Sequence, residues 1–343
     1  MGFRIIKGGM LTTVQDMGRY GYQSQGINVG GVMDVRSFKI ANLLLDNPEN
    51  EAALEITLIG PTLEFTSDVI IAITGADFQP TLNGHPAPMY TAIYVHKDDV
   101  LKFGSAINGS RAYIAFSSYL KIPTVMGSRS TNLKSRFGGF KGRKLMDGDY
   151  VEFRIRRRYL PFFLSRTLDP DEYEDGTETL RVVMGPQEEK FTKEGIRTFL
   201  SGEYTVTSEF DRMGCRLDGP LITTENGSDI ISDGIAFGAV QVPAHGKPII
   251  LLADRQTTGG YAKIASVISV DLPRLVQKKT DQKLRFKKVT VEEAQRLLLQ
   301  EVKELDQMRH RIHQPCKEVL DCRETAKRLG RLYVGAVNTA AHF

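Results

Sequence analysis

The 343-residue chain carries 45 Lys and Arg against 41 Asp and Glu, a net charge of +4, with 41% hydrophobic and 25% charged residues. That is the balance of a soluble globular protein with room for two domains, and basic and acidic residues are interspersed, so bulk charge gives no argument for nucleic acid. No apolar run approaches the roughly 18 residues of a membrane span. Met1–Lys7 has no signal-peptide core, and Ile6 stands where a myristoylation signal needs Ser or Thr, so a cytoplasmic location is expected, with no membrane partner.

Residues 1–33 hold Gly8, Gly9, Gly18, Gly21, Gly26, Gly30 and Gly31, a density that predicts turns and loops. Within them, Thr12, Gln15, Asp16 and Arg19 gather a hydroxyl, an amide, a carboxylate and a guanidinium beside Gly18. The plain alternative is a solvated loop. A helix follows: Asp34 can cap it, Phe38, Ala41 and Leu45 recur at helical spacing, and Pro48 stops it. From 51 to 116 the signals are short strands, at Ala53–Ile59, Val69–Thr74, Ala92–Val95 and Tyr113–Phe116, separated by turn residues such as Gly60-Pro61 and Asn83-Gly84. They are not interleaved with helices, which predicts a sandwich or barrel rather than a doubly wound sheet.

Residues 127–149 are polar and glycine-rich; they predict a hairpin loop, with a weaker option of an anion cradle, and no Walker A spacing is present. Arg154, Arg156, Arg157 and Arg158 then give way to the acidic stretch from Asp169 to Glu178. This charge reversal marks a linker at 161–179 between a first domain at 1–160 and a second at 180–312. The basic run reads as a solvated strand edge, with RNA binding as the alternative.

The second unit is also β-rich, with a strand at Tyr204–Glu209 and a short helix near Lys190–Phe199. The apolar run Ile249–Ala253 reads as a buried strand that ends in Asp254-Arg255-Gln256-Thr257-Thr258-Gly259-Gly260-Tyr261. Binding residues tend to sit on such polar loops at the end of a rigid strand, and the two glycines permit positive φ or close approach to a ligand. A polar hairpin turn is the alternative. Asp211-Arg212-Met213-Gly214 faintly echoes Asp16-Met17-Gly18-Arg19. A long helix is predicted from a capping box at Thr290 and Glu293, with Ala294, Leu298, Val302, Leu305 and Met308 as its apolar stripe, packed on its own domain, with a partner helix as the alternative. Residues 313–343 form a tail in which Leu332–Val337 can add a strand. His310, His313, Cys316 and Cys322 fall close together but match no common zinc spacing, so no metal is expected; with Cys215, the odd cysteine set is no disulfide framework.

Taken together, the runs Thr12–Arg19, Met33-Asp34, Ala41-Asn42, Leu54-Glu55, Thr74–Asp77, Gly127–Thr131, Gly185–Gln187, Asp211–Gly214, Gln241–Pro243 and Gln256–Tyr261 resemble, in order, the subunit-2 type of the biotin-dependent carboxyltransferase and allophanate hydrolase family. That family includes the C subunit of 5-oxoprolinase, an antagonist of a sporulation-kinase inhibitor and part of urea carboxylase. The resemblance implies a mainly β protein of tandem cyclophilin-like β-barrels, acting with a subunit-1-type partner (the B subunit of 5-oxoprolinase or a kinase-inhibitor-like protein) on a small amide or lactam. The implied reaction is ATP-dependent opening of 5-oxoproline to glutamate. ATP is then expected in the complex, and biotin, if used, arrives on another protein, because this chain lacks the Met-Lys-Met carrier tripeptide. Ser117-Ser118-Tyr119 stands where many relatives have Gly-Gly.

On this reading Arg19, Arg212 and Arg216 hold a carboxylate or phosphate, since guanidinium binds such groups bidentately. Gln241, Gln256 and Thr257 orient the amide or lactam, and Thr12, Gln15 and Asp16 add contacts. Asp77 or Asp254 serves as general base or positioning acceptor. These loops are expected to converge in one cleft. The regulatory reading, in which the chain only sequesters a kinase inhibitor, is the alternative, as is the carboxyltransferase part of a urea carboxylase.

Overall fold

The computed structural model describes residues 1–173 and 176–315; Cys316, Cys322 and the Leu332–Val337 segment lie outside the described residues.

Two strands form inside the glycine-rich opening, Gly2–Lys7 and Leu11–Gln15, where its composition predicts loops. The first is legible as alternation, with Phe3 and Ile5 turned inward between exposed neighbours. Each strand joins a different sheet. The six-stranded sheet runs in the order Tyr150–Glu152, Gly2–Lys7, Thr62–Phe65, Val100–Lys102, Thr81–Leu82, His85–Pro86. The five-stranded sheet runs Leu11–Gln15, Ala53–Thr57, Arg111–Phe116, Val69–Gly75, Ala92–Val95. Phe3, Leu54, Leu63, Phe65, Ile71, Ile73, Leu101, Ile114 and Phe116 fill the core between them. The strands Val69–Gly75 and Arg111–Phe116 are buried on both faces, which explains their unbroken apolar character.

Helix α1 (Val35–Leu44) covers the outer face of the five-stranded sheet. Asp34 caps it as predicted, accepting from Ser37 N at 2.9 Å. Phe38, Ala41, Leu44 and Leu45 pack there against Ala72, Tyr113 and Ala115.

The second half of the chain forms a closed seven-stranded barrel. Around it run Glu178–Met184, Lys263–Val267, Ala239–Gln241, Ile249–Leu251, Gly214–Asp218, Tyr204–Phe210 and Lys283–Lys288, and its first and last strands in sequence close it as a parallel pair. Helix α2 (Lys193–Ser201), capped by Thr192 on Gly195 N, stoppers the barrel by stacking Phe199 on Phe286, with centroids 4.4 Å apart. Helix α3 (Leu272–Val276) leads to the seam between the domains. The mainly β architecture with few helices is the expected one.

Helix α4 (Val291–Ile312) starts at the expected cap, with Thr290 Oγ1 accepting from Glu293 N, while the Glu293 carboxylate pairs with Arg296. It packs against Ser269–Asp271 of its own domain, as expected, and also reaches the first domain. Leu305, Met308 and Ile312 join the α1 cluster of the first domain, and Arg36 of α1 reaches Glu301 and Glu304. Leu298 and Val302 stay 41% and 53% exposed. A period-3.6 stripe fixes which face of a helix is apolar, not which neighbour it meets.

The basic run is not a free cationic strip: Arg154 pairs with Glu51, Arg158 with Asp68, and Arg157 donates to Asp46 O. The linker is stitched to the first domain by Arg166, fully buried, which donates to Leu44 O at 2.9 Å and pairs with Asp46.

A polar seam joins the domains. Gln277, at the end of α3, puts its carbonyl on Ser110 N and Arg111 N, both at 2.9 Å, and its amide on Arg111 O at 2.9 Å and Asp34 Oδ2 at 2.7 Å. Arg111 donates back to Val276 O.

Candidate functional site

The two echoing segments fold alike at the level of their turns. Asp16 Oδ1 accepts from Gly18 N at 2.8 Å, and Asp211 Oδ1 accepts from Met213 N at 2.7 Å. These side-chain-to-backbone turns reverse the chain and aim the nearby arginine inward. Arg19 and Arg212 thereby approach one carboxylate, Asp254, which sits just past the barrel strand Ile249–Leu251.

Arg212 forms a two-pronged ion pair with Asp254, Nε to Oδ2 at 2.9 Å and Nη2 to Oδ1 at 3.0 Å. It also crosses to the first domain, donating to Glu55 Oε1 and to Gly31 O. Burial opposes its charge, but Asp254 and Glu55 outweigh burial and hold its pKa above that of an ordinary arginine. Glu55 is itself satisfied by Met33 N and the Tyr113 hydroxyl, each at 2.8 Å. A buried charge cluster is tolerated only when each member is paired in this way.

Arg19 is different. It is 1% exposed, stacks over Phe137 at 4.7 Å and donates through Nη2 to Ser130 O, while Nε and Nη1 have no partner among the described residues. Burial lowers its pKa, with partial offset from Asp16 and Asp254. Asp16 is committed elsewhere: its carboxylate accepts from the Ser128 and Ser130 hydroxyls and from Arg129 N, all at 2.6 Å. The 127–149 segment is therefore not a solvated hairpin at its start; Ser128, Ser130 and Thr131 are buried and clamp the Arg19 loop.

The remaining candidates fall in several places. Gln15 is buried beside Thr131, its Nε2 on Thr13 Oγ1 at 3.0 Å and its Oε1 without a partner among the described residues, whereas Thr12 spends its hydroxyl on Gly8 O at 2.8 Å. Gln241 is buried in the barrel wall, with Nε2 on Tyr261 O at 3.3 Å. Gln256 is exposed and Thr257 half-buried, on the loop entering a two-stranded arm, Asp229–Gly234 with Thr258–Tyr261. Gly259 serves close approach there: a Cβ on it would come within 2.8 Å of Gln241 Nε2. Arg216 does not join the cluster. In the strand Gly214–Asp218, Cys215 and Leu217 point into the barrel, so Arg216 points out and pairs with exposed Glu209. Asp77 does not join it either. It caps Gln79 N at 2.7 Å on the wall of a separate cleft of about 1080 Å³, shared with Tyr90, Lys102 and Tyr173. The expected single cleft is therefore not formed by Asp77, Arg212 and Gln256 together. What the fold does bring together is Arg19 and Glu55 of the first domain with Arg212 and Asp254 of the second.

Glu55 was missed as a site residue. The signal was present: a lone carboxylate inside the apolar strand Ala53–Thr57.

The same constellation can be set beside known proteins. The family described as carboxyltransferase domain, subdomain A and B, matches residues 25–288. The chain is 34% identical over 315 residues to the C subunit of 5-oxoprolinase from Escherichia coli, covering 90% of this chain and 98% of that one. It is 32% identical to a putative urea carboxylase of Emericella nidulans over 84% of this chain, which spans only 24% of that protein. The crystal structure of Kluyveromyces lactis urea carboxylase superposes with a TM-score of 0.82 at 27% identity, over 90% of this chain and 29% of the larger one. The chain belongs to the family of the carboxyltransferase domain, subdomain A and B.

Proposed function

We propose that this chain is the C subunit of an ATP-dependent 5-oxoprolinase, which opens the lactam 5-oxoproline to glutamate together with partner subunits, one of them of the subunit-1 type. The observation that supports this reading is sequence identity: the chain is 34% identical to a relative named as the 5-oxoprolinase C subunit, over 98% of that relative. The interdomain cluster supplies what lactam opening needs from a protein. A lactam carbonyl is a poor electrophile, and reaction at it develops negative charge on oxygen, which fixed guanidinium donors stabilise in a water-poor site. Arg19 and Arg212 are such donors, and Asp254 is an acceptor held at a set position between them. Phosphate from ATP enters as substrate; this chain has no P-loop spacing, and no residue of it is assigned to the nucleotide.

A second reading, the carboxyltransferase part of a urea carboxylase system, draws on the Emericella and Kluyveromyces relatives. Biotin would then be carried outside these 343 residues. Co-purification with a subunit-1-type partner, followed by ATP hydrolysis assayed with 5-oxoproline and with urea, separates the two. The expected result is hydrolysis dependent on 5-oxoproline in the complex and none from this chain alone. Dependence on urea instead, or full turnover by the isolated chain, would reject the proposal.

A further inference from the structure

Gly30 is buried with a φ of +65°, and a Cβ placed on it would have two heavy atoms within 4 Å: Arg19 Nη1 at 3.4 Å and Asp254 Oδ1 at 3.6 Å. Its neighbour Gly31 is unlike it, since a Cβ there would lie 2.8 Å from the Met17 backbone. The missing side chain at position 30 thus leaves a notch with one donor and one acceptor on its wall. The donor has no partner among the described residues, on a guanidinium 1% exposed, and the acceptor belongs to a carboxylate 7% exposed whose Oδ1 accepts from Arg212 Nη2, leaving a lone-pair direction for a second bond.

We infer that the Gly30 notch is the receptor for the neutral cis-amide edge of the substrate, the carbonyl accepting from Arg19 Nη1 and the N–H donating to Asp254 Oδ1. In a cis amide the C=O and N–H bonds point to the same side, with oxygen and nitrogen about 2.2 Å apart from standard bond lengths, so one small group can touch both wall atoms at once. A trans peptide points them in opposite directions and cannot. A carboxylate would satisfy Arg19 but face Asp254 with like charge, so the pair selects a neutral amide over an anion at this spot. Lactams and ureas share this edge. The inference rests on the lactam reading above and adds where, and by which edge, the substrate is gripped.

The test uses the full chain labelled with nitrogen-15 in arginine and, in a second sample, in glycine, with the Arg19 Nε–H signal assigned through Arg19→Gln and the Gly30 amide through Gly30→Ala. The probes are 2-pyrrolidinone and N-methyl-2-pyrrolidinone, which differ in the N–H alone. The expected result is a saturable shift of the Arg19 signal with 2-pyrrolidinone, at least tenfold weaker binding of the N-methyl compound, and at least tenfold loss in Gly30→Ala. Should Gly30→Ala fail to fold, Arg19→Gln, followed by shifts of the backbone amide at Gly30, reads the same loss. Equal binding of the two lactams, undiminished binding in the variants, or no shift at all overturns the inference. In the assembled complex, turnover of 5-oxoproline with an unchanged KM in Gly30→Ala rejects the notch and leaves the 5-oxoprolinase reading standing; selective lactam binding without such turnover does the reverse.

Discussion

Replacing Gln277 with alanine removes one side chain that is 2% exposed and makes four hydrogen bonds across the domain seam. Three of its partners are backbone groups of Ser110 and Arg111, and the fourth is the Asp34 carboxylate. Leaving a buried polar group unpaired costs about 1–3 kcal/mol, so with partial entry of water the loss is roughly 3–6 kcal/mol. For a chain of 343 residues the unfolding entropy is about 0.7 kcal/mol per kelvin, which converts the loss to a fall in Tm of roughly 4–8 °C. Differential scanning calorimetry at pH 7.5 measures it, and the domains should begin to melt separately as the seam weakens. Gln277→Glu adds a pH signature. Burial already raises the Asp34 carboxyl above its ordinary range, and the Gln277 N–H is one of the bonds that lowers it. Exchanging that donor for a carboxylate raises it further. A carboxyl with a raised folded pKa costs stability above that pKa and returns it as pH falls toward the unfolded value, by at most about 1.4 kcal/mol per pH unit. Gln277→Glu should therefore recover toward the wild type between pH 8 and pH 5. A Tm change under 2 °C for the alanine variant, or a pH-flat deficit for the glutamate variant, would refute the account of the seam.

Other substitutions should sort by the same geometry. Arg212→Met strands Glu55 and Asp254 as buried carboxylates and should cost about 3–5 kcal/mol in denaturant unfolding, with turnover of the complex lost. Arg216→Ala breaks a surface pair and should cost no more than about 1 kcal/mol, with the complex fully active; a large loss of activity would return Arg216 to the site. Burial pushes the Cys215 thiol up to about 12, so in a Cys316→Ser, Cys322→Ser background it should resist a disulfide-exchange reagent at pH 8 until guanidinium unfolds the protein.

Elements whose signals are local could be read from the sequence. The caps at Asp34 and Thr290 formed where a carboxylate or hydroxyl preceded an apolar period, and Ala92–Val95 is the strand its composition predicted. The strand Leu11–Gln15 was hidden because the glycines around it mark turns so strongly, and they also outweighed the alternation in Gly2–Lys7. The outward position of Arg216 was readable, since Cys215 and Leu217 flank it at a period of two. The meeting of Arg212 with Asp254 was readable only as a set of candidates, because 42 residues separate them and strand pairing brings them together. Glu55, present only within the Leu54-Glu55 run, and Gln277 were given no role for a related reason. Glu55 is one carboxylate in an apolar strand and Gln277 opens an ordinary polar stretch, and their contacts across the seam exist only once the other domain is in place.

The parallel closure of the barrel also constrains how the molecule is made. Glu178–Met184 cannot find its partner until Lys283–Lys288 has been synthesised, about a hundred residues later, and such distant pairings form late. The sheets of the leading half can assemble while the ribosome is still working, yet the apolar ground beneath Ile312 stays bare until helix α4 emerges. A nascent chain stalled before that helix would present a sticky surface, and chaperone capture should peak in that interval.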